Sequence, residues 1–359
     1  MPRIETDRIG VAFDMRGCPN RCRHCYLGAR ANPRLLEEDI HWGVNRFRGF
    51  LAAGSMSVKK LSVATWFHEP DFGDDYRRLH ELEAELSDGP PSRYELLSVW
   101  RLARDASYAS WAKSVGPDTC QISFFGMRQT NDWFCRREGA FDDALTATDR
   151  LLGAGMKPRW QIFLTTKLLP ELEALLALID ERRIRERVAE LGDTFHLFMH
   201  PPGPDGDARD IEALRPTDAA LADLPESVLA PTRQHFGTDV LWRTEASLYA
   251  DIAENRVSPP DAEAPPPWFY VCGNWDVYSN AGTLEPWYRL GNLKTDPLDT
   301  IVRRYAEDTV LGLHVQFHEV PAELAKRYGN PEGRKVYSSE EDLLSLYRAQ
   351  HCERGWRGK

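Results

Sequence analysis

The chain has 359 residues, a net charge of −10 and 42% hydrophobic residues, a composition typical of a globular protein with one large domain or two. Its acidic balance, without any lysine or arginine run, argues against a nucleic-acid-binding protein. No apolar stretch approaches the length of a membrane span, and the N-terminus lacks an apolar signal region, so we expect a cytoplasmic protein with no membrane partner. The seven cysteines, an odd number, favour metal-binding thiolates over a disulfide framework.

Strand-like apolar runs alternate with helical patterns over the first two hundred residues. The predicted strands lie at about 9–14, 59–66, 94–100, 119–126, 159–165 and 194–200. The helical patterns lie at 35–52, 75–86, 108–115, 141–154 and 170–191. Repeated β-α units imply parallel strands with right-handed crossovers. The sequence therefore predicts an α/β fold built from six such units.

Three cysteines, Cys18, Cys22 and Cys25, directly follow the first predicted strand. Thiolates are soft ligands that suit an iron–sulfur cluster or zinc. Three of them on one short loop, with no obvious fourth ligand nearby, leave one metal position open for a substrate or cosubstrate. This spacing is the strongest functional signal in the sequence.

The Cys-x3-Cys-x2-Cys motif after a first strand resembles the signature of the radical S-adenosylmethionine (radical SAM) superfamily. The resemblance implies that Cys18, Cys22 and Cys25 hold one [4Fe–4S] cluster and that S-adenosylmethionine (AdoMet) chelates its fourth iron. An external donor of the flavodoxin or ferredoxin type would then supply the electron that cleaves AdoMet to a 5′-deoxyadenosyl radical, which abstracts hydrogen from the substrate. Family members usually carry an aromatic residue before the third cysteine, where this chain has His24, and Tyr26 follows that cysteine.

The same resemblance implies a partial (β/α)6 TIM-like barrel, which the six β-α units match. Barrel chemistry takes place at the C-terminal ends of strands, and the cysteine loop lies at such an end. We assign residues 1–205 to the radical SAM core barrel, 206–265 to a connecting segment and 266–359 to a C-terminal extension.

Further cofactor-binding candidates follow from the resemblance. Family members commonly carry Gly-Gly-Glu-Pro after the second strand, and this chain keeps Glu69 and Pro70, so the Glu69 carboxylate would receive the AdoMet ammonium. The family's fourth strand ends in Ser-x-x-Gly, here Ser123 to Gly126, and strand alternation puts Gln121 on the same face as Ser123. The alternatives are a solvated loop position for Glu69 and a polar strand face that looks at a helix.

Arginines and aromatic residues complete the candidate set. Family members often pair an arginine beyond the fourth strand with the AdoMet carboxylate, and Arg136 or Arg137 would do so through two parallel hydrogen bonds. A surface arginine is the common alternative, and Arg101 is another possible partner. Tyr26 is the flat side chain expected near the cluster, and His200, at the end of the sixth predicted strand, is a candidate for the adenine or the substrate.

The C-terminal segment carries a second, partial resemblance. Residues 271–280, followed by 290–293 and 296–301, resemble the hairpin and helix of SPASM or twitch extensions, which usually bind auxiliary clusters through several cysteines. A cysteine is expected after the Val-Tyr pair, where this chain has Asn280, and only Cys272 and Cys352 remain. We therefore predict a small β-hairpin plus helix without an auxiliary cluster, which mildly favours redox-neutral outcomes over multi-electron oxidation.

Four functional interpretations stay open beside each other. The leading one is a radical SAM enzyme acting on a small natural-product intermediate, a sugar, an amino acid or a short peptide. Within the superfamily, the alternatives are a SPASM-type maturase that modifies ribosomally made peptides and an inactive relative that keeps the cluster. The alternative of another class is a non-catalytic protein in which Cys18, Cys22, Cys25 and a distant histidine hold zinc.

Overall fold

A computed structural model describes residues 7–14, 18–28, 35–53, 58–65, 73–90, 96–256, 267–279 and 284–357 of the chain. Its strands are β1 (Arg8–Phe13), β2 (Lys60–Ala64), β3 (Thr119–Phe124), β4 (Lys157–Phe163), β5 (His196–His200), β6 (Arg243–Thr244), β7 (Trp268–Val271), β8 (Asp276–Ser279), β9 (Arg289–Asn292) and β10 (Val336–Tyr337).

Along the chain, the helices of the described residues lie between and after the strands. The α-helices are α1 (Glu37–Ala52), α2 (Tyr76–Leu86), α3 (Val99–Arg104), α4 (Tyr108–Ser114), α5 (Arg128–Cys135), α6 (Ala140–Gly153), α7 (Leu172–Glu181), α8 (Ile184–Ala189), α9 (Glu226–Phe236), α10 (Glu245–Ala253), α11 (Leu298–Ala306), α12 (Leu311–His318), α13 (Pro321–Tyr328) and α14 (Glu340–Arg357). Short 3₁₀ turns cover Leu169–Glu171, Gly206–Leu214, Asp218–Leu221 and Pro286–Tyr288. Among the described residues, no helix is both long and apolar enough to cross a bilayer.

The strands lie in two main sheets and one short ribbon. β3, β4 and β5 form a parallel three-stranded sheet, and β6 pairs with β10. The other main sheet has the order β2-β1-β7-β8-β9, with β1 parallel to both β2 and β7 and the last two pairings antiparallel. The C-terminal hairpin therefore extends the sheet of β2 and β1 on its β1 side. β1 is the strand that leads into the cysteine loop.

Close packing joins β7 to β1 at a glycine. A Cβ atom on Gly10 would lie 2.2 Å from the indole of Trp268, which the β1–β7 register sets directly opposite. Only the absence of a side chain at residue 10 lets the Trp268 ring cover the β1 backbone. Gly10 thus makes the attachment of the C-terminal hairpin possible.

The prediction of a third strand at 94–100 is wrong over residues 96–100, the part of it that the structure describes. Residues 96–98 are irregular, and α3 begins at Val99. The Ser98 side chain accepts a hydrogen bond from the backbone N–H of Arg101, and this N-cap satisfies a helix terminus in a run that its apolar residues alone favour as a strand. In the described residues no strand joins β2 to β3, so the parallel strands form two separate groups.

The other predictions of elements differ in smaller ways. Strands predicted at 9–14, 59–66, 119–126, 159–165 and 194–200 are present as β1 to β5. The helix predicted at 170–191 is divided into α7 and α8, because Arg183 adopts a left-handed conformation with φ 51°. The segment between the sheets, at 206–265, contains α9 and α10.

Large aromatic side chains fill the core beside the three-stranded sheet. Trp160 of β4 is fully buried, its ring centroid lies 4.1 Å from that of Phe124, and its Nε1–H donates to Thr148 Oγ1 at 3.2 Å. We expect Trp160→Ala to lower the free energy of unfolding by about 3–5 kcal/mol, because it leaves a cavity and removes one of the two hydrogen bonds of the Thr148 hydroxyl. Urea unfolding followed by circular dichroism measures this loss. The half-exposed Trp356 is the matched control, and a Trp356→Ala loss as large as that of Trp160→Ala would contradict the assignment of this core.

Candidate functional site

The cysteine loop is anchored on one side to the end of α5. The backbone N–H of Arg21 donates to Cys135 O at 3.1 Å, and that of Arg23 donates to Phe134 O at 2.8 Å. The Arg23 side chain also lies over Trp133, with its guanidinium carbon 4.0 Å from the ring centroid, and its Nε donates to Trp133 O. These contacts hold the loop against the C-terminal end of α5, which is distant from it in sequence.

The turn at residues 206–207 holds the other side of the loop. Cys25 O accepts hydrogen bonds from Gly28 N at 3.1 Å and from Asp207 N at 3.0 Å. Gly206 has φ +55°, and a Cβ atom there would lie 2.3 Å from Tyr26 O and 2.6 Å from Cys25 O. The backbone of the third cysteine is therefore clamped against a residue that has to be glycine.

The three loop cysteines differ from the other four in their exposure. None of the seven cysteines, all of which the structure describes, forms a disulfide; Cys18, Cys22 and Cys25 are partly exposed, whereas the others are buried. No three Cys, His, Asp or Glu side chains among the described residues converge as a single metal ion requires. A four-iron cluster instead binds each thiolate to a different iron, so three soft donors spread along one loop fit it.

Apolar packing surrounds two of these thiols. Cys22 packs against a cluster that contains Phe125, Phe134 and Phe163, and Cys25 packs against a second cluster that contains Leu27. Burial, with a smaller contribution from Cys22, raises the pKa of the Cys25 thiol to about 11. Metal binding would displace that proton, and the apolar shell would limit access of water to the bound group.

A cavity of about 190 Å³ connects the cysteine loop with β3. Its wall includes Cys22 and His24 from the loop, Gln121 and Ser123 from β3, and Arg137. Gln121 and Ser123 thus face the same space as a cysteine of the motif. Leu97 and Val99, from the segment predicted as a third strand, also line it.

Polar side chains of β3, β4 and β5 form a continuous hydrogen-bonded row. Gln121 Nε2 and Ser123 Oγ both donate to Gln161 Oε1, at 2.6 and 3.0 Å, and Arg159 Nη2 donates to Gln121 Oε1 at 2.9 Å. Gln161 Nε2 in turn contacts His200 Nε2. The polar side chains of β3 and β4 therefore lie on the same side of the sheet and contact each other. Sequence reasoning missed Gln161, because strand alternation puts it on one face with Arg159 but does not show which side chains of the neighbouring strands it meets.

Both histidines near this row are held neutral. His200 Nδ1 lies 2.6 Å from Pro201 O, and burial lowers the pKa of His200. The His24 ring lies 4.4 Å from that of Phe125 and 4.5 Å from that of Phe163, and burial lowers the pKa of His24 to about 3. His24 Nδ1 is enclosed without a hydrogen-bond partner among the described residues.

The two candidate arginines lie at the end of α5 in different settings. Arg136 has φ 50° at the helix C-cap, and its Nη1 is 3.8 Å from the Asp207 carboxylate. Arg137 lines the cavity, donates from Nε to Asn20 Oδ1 at 2.5 Å and pairs with Asp143 at 2.7 Å. The cavity wall therefore contains Arg137, while Arg136 reaches toward the turn that clamps Cys25.

The other sequence-predicted residues lie apart from the cavity or outside the described residues. Tyr26 is 56% exposed beside Cys25, and Glu69 lies outside the described residues. Arg101 is buried on α3, where it pairs with Asp74 at 2.9 Å.

The two C-terminal cysteines occupy separate apolar clusters. Cys272, in the turn between β7 and β8, packs in the cluster that also contains Leu284, and Cys352 of α14 packs with Trp287 and Val315. Asn280 lies outside the described residues. The prediction that this extension binds no auxiliary cluster stays a prediction.

Comparison with solved structures addresses the fold. The native anSMEcpe structure, with bound AdoMet and the Cp18Cys peptide, is similar to this chain with a TM-score of 0.52 and 10% sequence identity, over 98% of this chain and 99% of that one. This chain has the fold of a radical SAM enzyme. A histidine-tagged form of anSMEcpe with bound AdoMet (TM-score 0.49, 11% identity, 97% and 98% of the two chains) is also similar.

Streptococcus suis SuiB bound to the precursor peptide SuiA is similar at a TM-score of 0.45 and 12% identity, over 85% of this chain and 66% of SuiB. No family model and no curated protein matches the sequence. At such low identity the likeness concerns the radical SAM fold, and the roles of individual residues depend on the geometry of this chain.

Proposed function

We propose that this chain is a radical SAM enzyme. The observation that carries the proposal is the loop of partly exposed cysteines that shares one cavity with Gln121 and Ser123 of the neighbouring sheet. Cys18, Cys22 and Cys25 would hold three irons of a [4Fe–4S] cluster. When bound, the cluster supplies the electron that cleaves AdoMet, so that hydrogen is taken from an organic substrate.

The residues of the cavity wall have separate tasks in this proposal. Ser123 and Gln121 bind AdoMet beside the cluster, and Arg137, which lines the same wall, joins Arg136 as a candidate for the AdoMet carboxylate. Glu69 keeps its proposed role at the AdoMet ammonium. Apolar side chains around Cys22 exclude water, which matters because so reactive an intermediate attacks the nearest bond.

The architecture that we propose is a partial TIM-like barrel. β1 to β5 would be its parallel strands, with the cysteine loop at their C-terminal ends, as barrel enzymes require. Residues 1–205 remain the proposed core, 206–265 the connecting segment and 266–359 the twitch-like extension. An external flavodoxin or ferredoxin type of protein would be the electron donor.

For the substrate, we propose an organic molecule of small size or a short peptide. The likeness to anSMEcpe extends over nearly all of both chains, and that structure contains a bound peptide. This supports the peptide-modifying alternative beside the small-molecule one.

Anaerobic reconstitution tests the proposal. We expect about four irons and four sulfides per chain, a cluster signal in the EPR spectrum that changes when AdoMet is added, and 5′-deoxyadenosine once a strong reductant is present. Omission of the reductant is the control and should leave AdoMet intact. Stoichiometric zinc, with no response to AdoMet, would overturn the proposal in favour of the non-catalytic metal-binding protein.

A further inference from the structure

In the row of polar side chains across β3, β4 and β5, the groups at the two ends determine which partner donates in each hydrogen bond. At one end, the Arg159 guanidinium has only donors, so Gln121 Oε1 accepts from it at 2.9 Å. At the other end, the carbonyl of Pro201 can only accept, so His200 Nδ1 carries a proton and donates it at 2.6 Å.

Gln161 lies between these ends and has one orientation that satisfies both. Because His200 is a neutral ring protonated on Nδ1, its Nε2 is an acceptor, and the Gln161 Nε2 amide donates to it. Gln161 Oε1 then faces Gln121 Nε2 at 2.6 Å as an acceptor. A flipped Gln161 amide would set donor against donor at Gln121 and two acceptors together at His200.

The orientation of the Gln161 amide also determines whether Ser123 can donate or accept a hydrogen bond in the cavity. Gln161 Oε1 also accepts from Ser123 Oγ at 3.0 Å, so the single hydroxyl proton of Ser123 is used inside the protein. The oxygen can then present only lone pairs to the cavity that it lines. A hydroxyl without this partner would rotate and serve equally as donor or acceptor.

We propose that Gln161 is a positioning residue, which locks His200 in its Nδ1–H form and makes Ser123 an acceptor that selects a hydrogen-bond donor on the bound ligand. Where that ligand is AdoMet, the inference rests on the proposed function. Phe163 and Phe198 pack against the His200 ring, and Arg215 and Asp342 are the charged groups that act on it from outside the sheet. Gln161 is not among the residues that line the cavity, so it acts on a ligand there through the Ser123 and Gln121 side chains that it contacts.

A double-mutant cycle tests the link between Gln161 and Ser123. In the reconstituted full chain, Gln161→Leu and Ser123→Ala should each weaken AdoMet binding about tenfold, the value of one hydrogen bond. The double variant should lose less than the product of the two single losses, because Gln161 acts on the ligand partly through the Ser123 hydroxyl that Ser123→Ala removes. Gln129→Leu, at an exposed glutamine, is the matched control and should bind like the wild type. Additive losses of about a hundredfold in the double variant would overturn the inference.

The protonation of His200 gives a second test that does not need AdoMet. In the chain labelled with ¹⁵N-histidine, one of the ten imidazoles should show a protonated Nδ1 and an unprotonated Nε2 at neutral pH, and His200→Gln should remove that signal. In Gln161→Glu the carboxylate cannot donate, so His200 should become protonated on both nitrogens. A wild-type proton on Nε2 would overturn the inference even if AdoMet binds. Failure of the wild type to bind AdoMet would instead refute the proposed function and leave this result valid.

Discussion

Cys22→Ala is expected to abolish AdoMet cleavage and to remove most of the iron from the reconstituted protein. Cys22 is the one cysteine of the motif that both lines the cavity and packs against the apolar cluster around Phe125. Two thiolates on a short loop cannot hold a four-iron cluster that already lacks a fourth protein ligand. Iron and sulfide analysis, together with the amount of 5′-deoxyadenosine formed under reductant, measures the loss.

Cys272→Ala is the matched control for this experiment. Cys272 is buried in a different apolar cluster, so its variant should keep about four irons per chain and the wild-type rate of AdoMet cleavage. Deoxyadenosine formation by Cys22→Ala would rule out the assignment of the cysteine loop. About eight irons in the wild type, falling in Cys272→Ala, would instead mean that the C-terminal extension binds an auxiliary cluster and that oxidation chemistry is favoured.

Gly206→Ala is expected to give a folded protein with little bound iron. The added Cβ would lie 2.3 Å from Tyr26 O and 2.6 Å from Cys25 O, and both atoms belong to the backbone of the cysteine loop. The loop must therefore move, and the geometry of three thiolates around one cluster tolerates little displacement. Iron content after reconstitution, with circular dichroism as the test of folding, measures the effect.

Gly237→Ala separates this contact from ordinary backbone strain. Gly237 has φ +65°, close to the +55° of Gly206, but a Cβ there would meet no atom within 4 Å. Both variants lose about 1 kcal/mol of stability to a left-handed alanine, and only Gly206→Ala adds the clash with the cysteine loop. Gly237→Ala should keep its iron. Equal iron content in the two variants would contradict the clamp on the cysteine loop.

Local chemical patterns in the sequence predicted part of this architecture correctly. Strand alternation put Gln121 and Ser123 on one face, and the structure has both of them on one cavity wall. The same kind of local pattern gave a wrong strand prediction at 94–100, because its apolar residues fit a strand and the buried start of a helix equally. Ser98 resolves that ambiguity by capping α3, a hydrogen bond that periodicity does not reveal.

Gln161 and Gly206 were out of reach of such patterns. The role of Gln161 depends on its cross-strand neighbours Gln121, Ser123 and His200, which the strand register brings together. In the sequence, Gly206 is one glycine in a polar turn, and only the structure shows that the backbone of the cysteine loop packs against it. In both cases the partner is far away along the chain.

The sequence by itself determined which thiols are available together as candidate metal ligands, because three cysteines spaced along one loop are a covalent property of the chain. It also determined most strands, whose alternation is local. Only the tertiary structure decided which surfaces meet: the hairpin strand β7 on β1, the α5 end and the 206–207 turn on either side of the cysteine loop, and the polar row across three strands. Those contacts form between segments distant in sequence, where packing and hydrogen-bond satisfaction, rather than local propensity, select the partner.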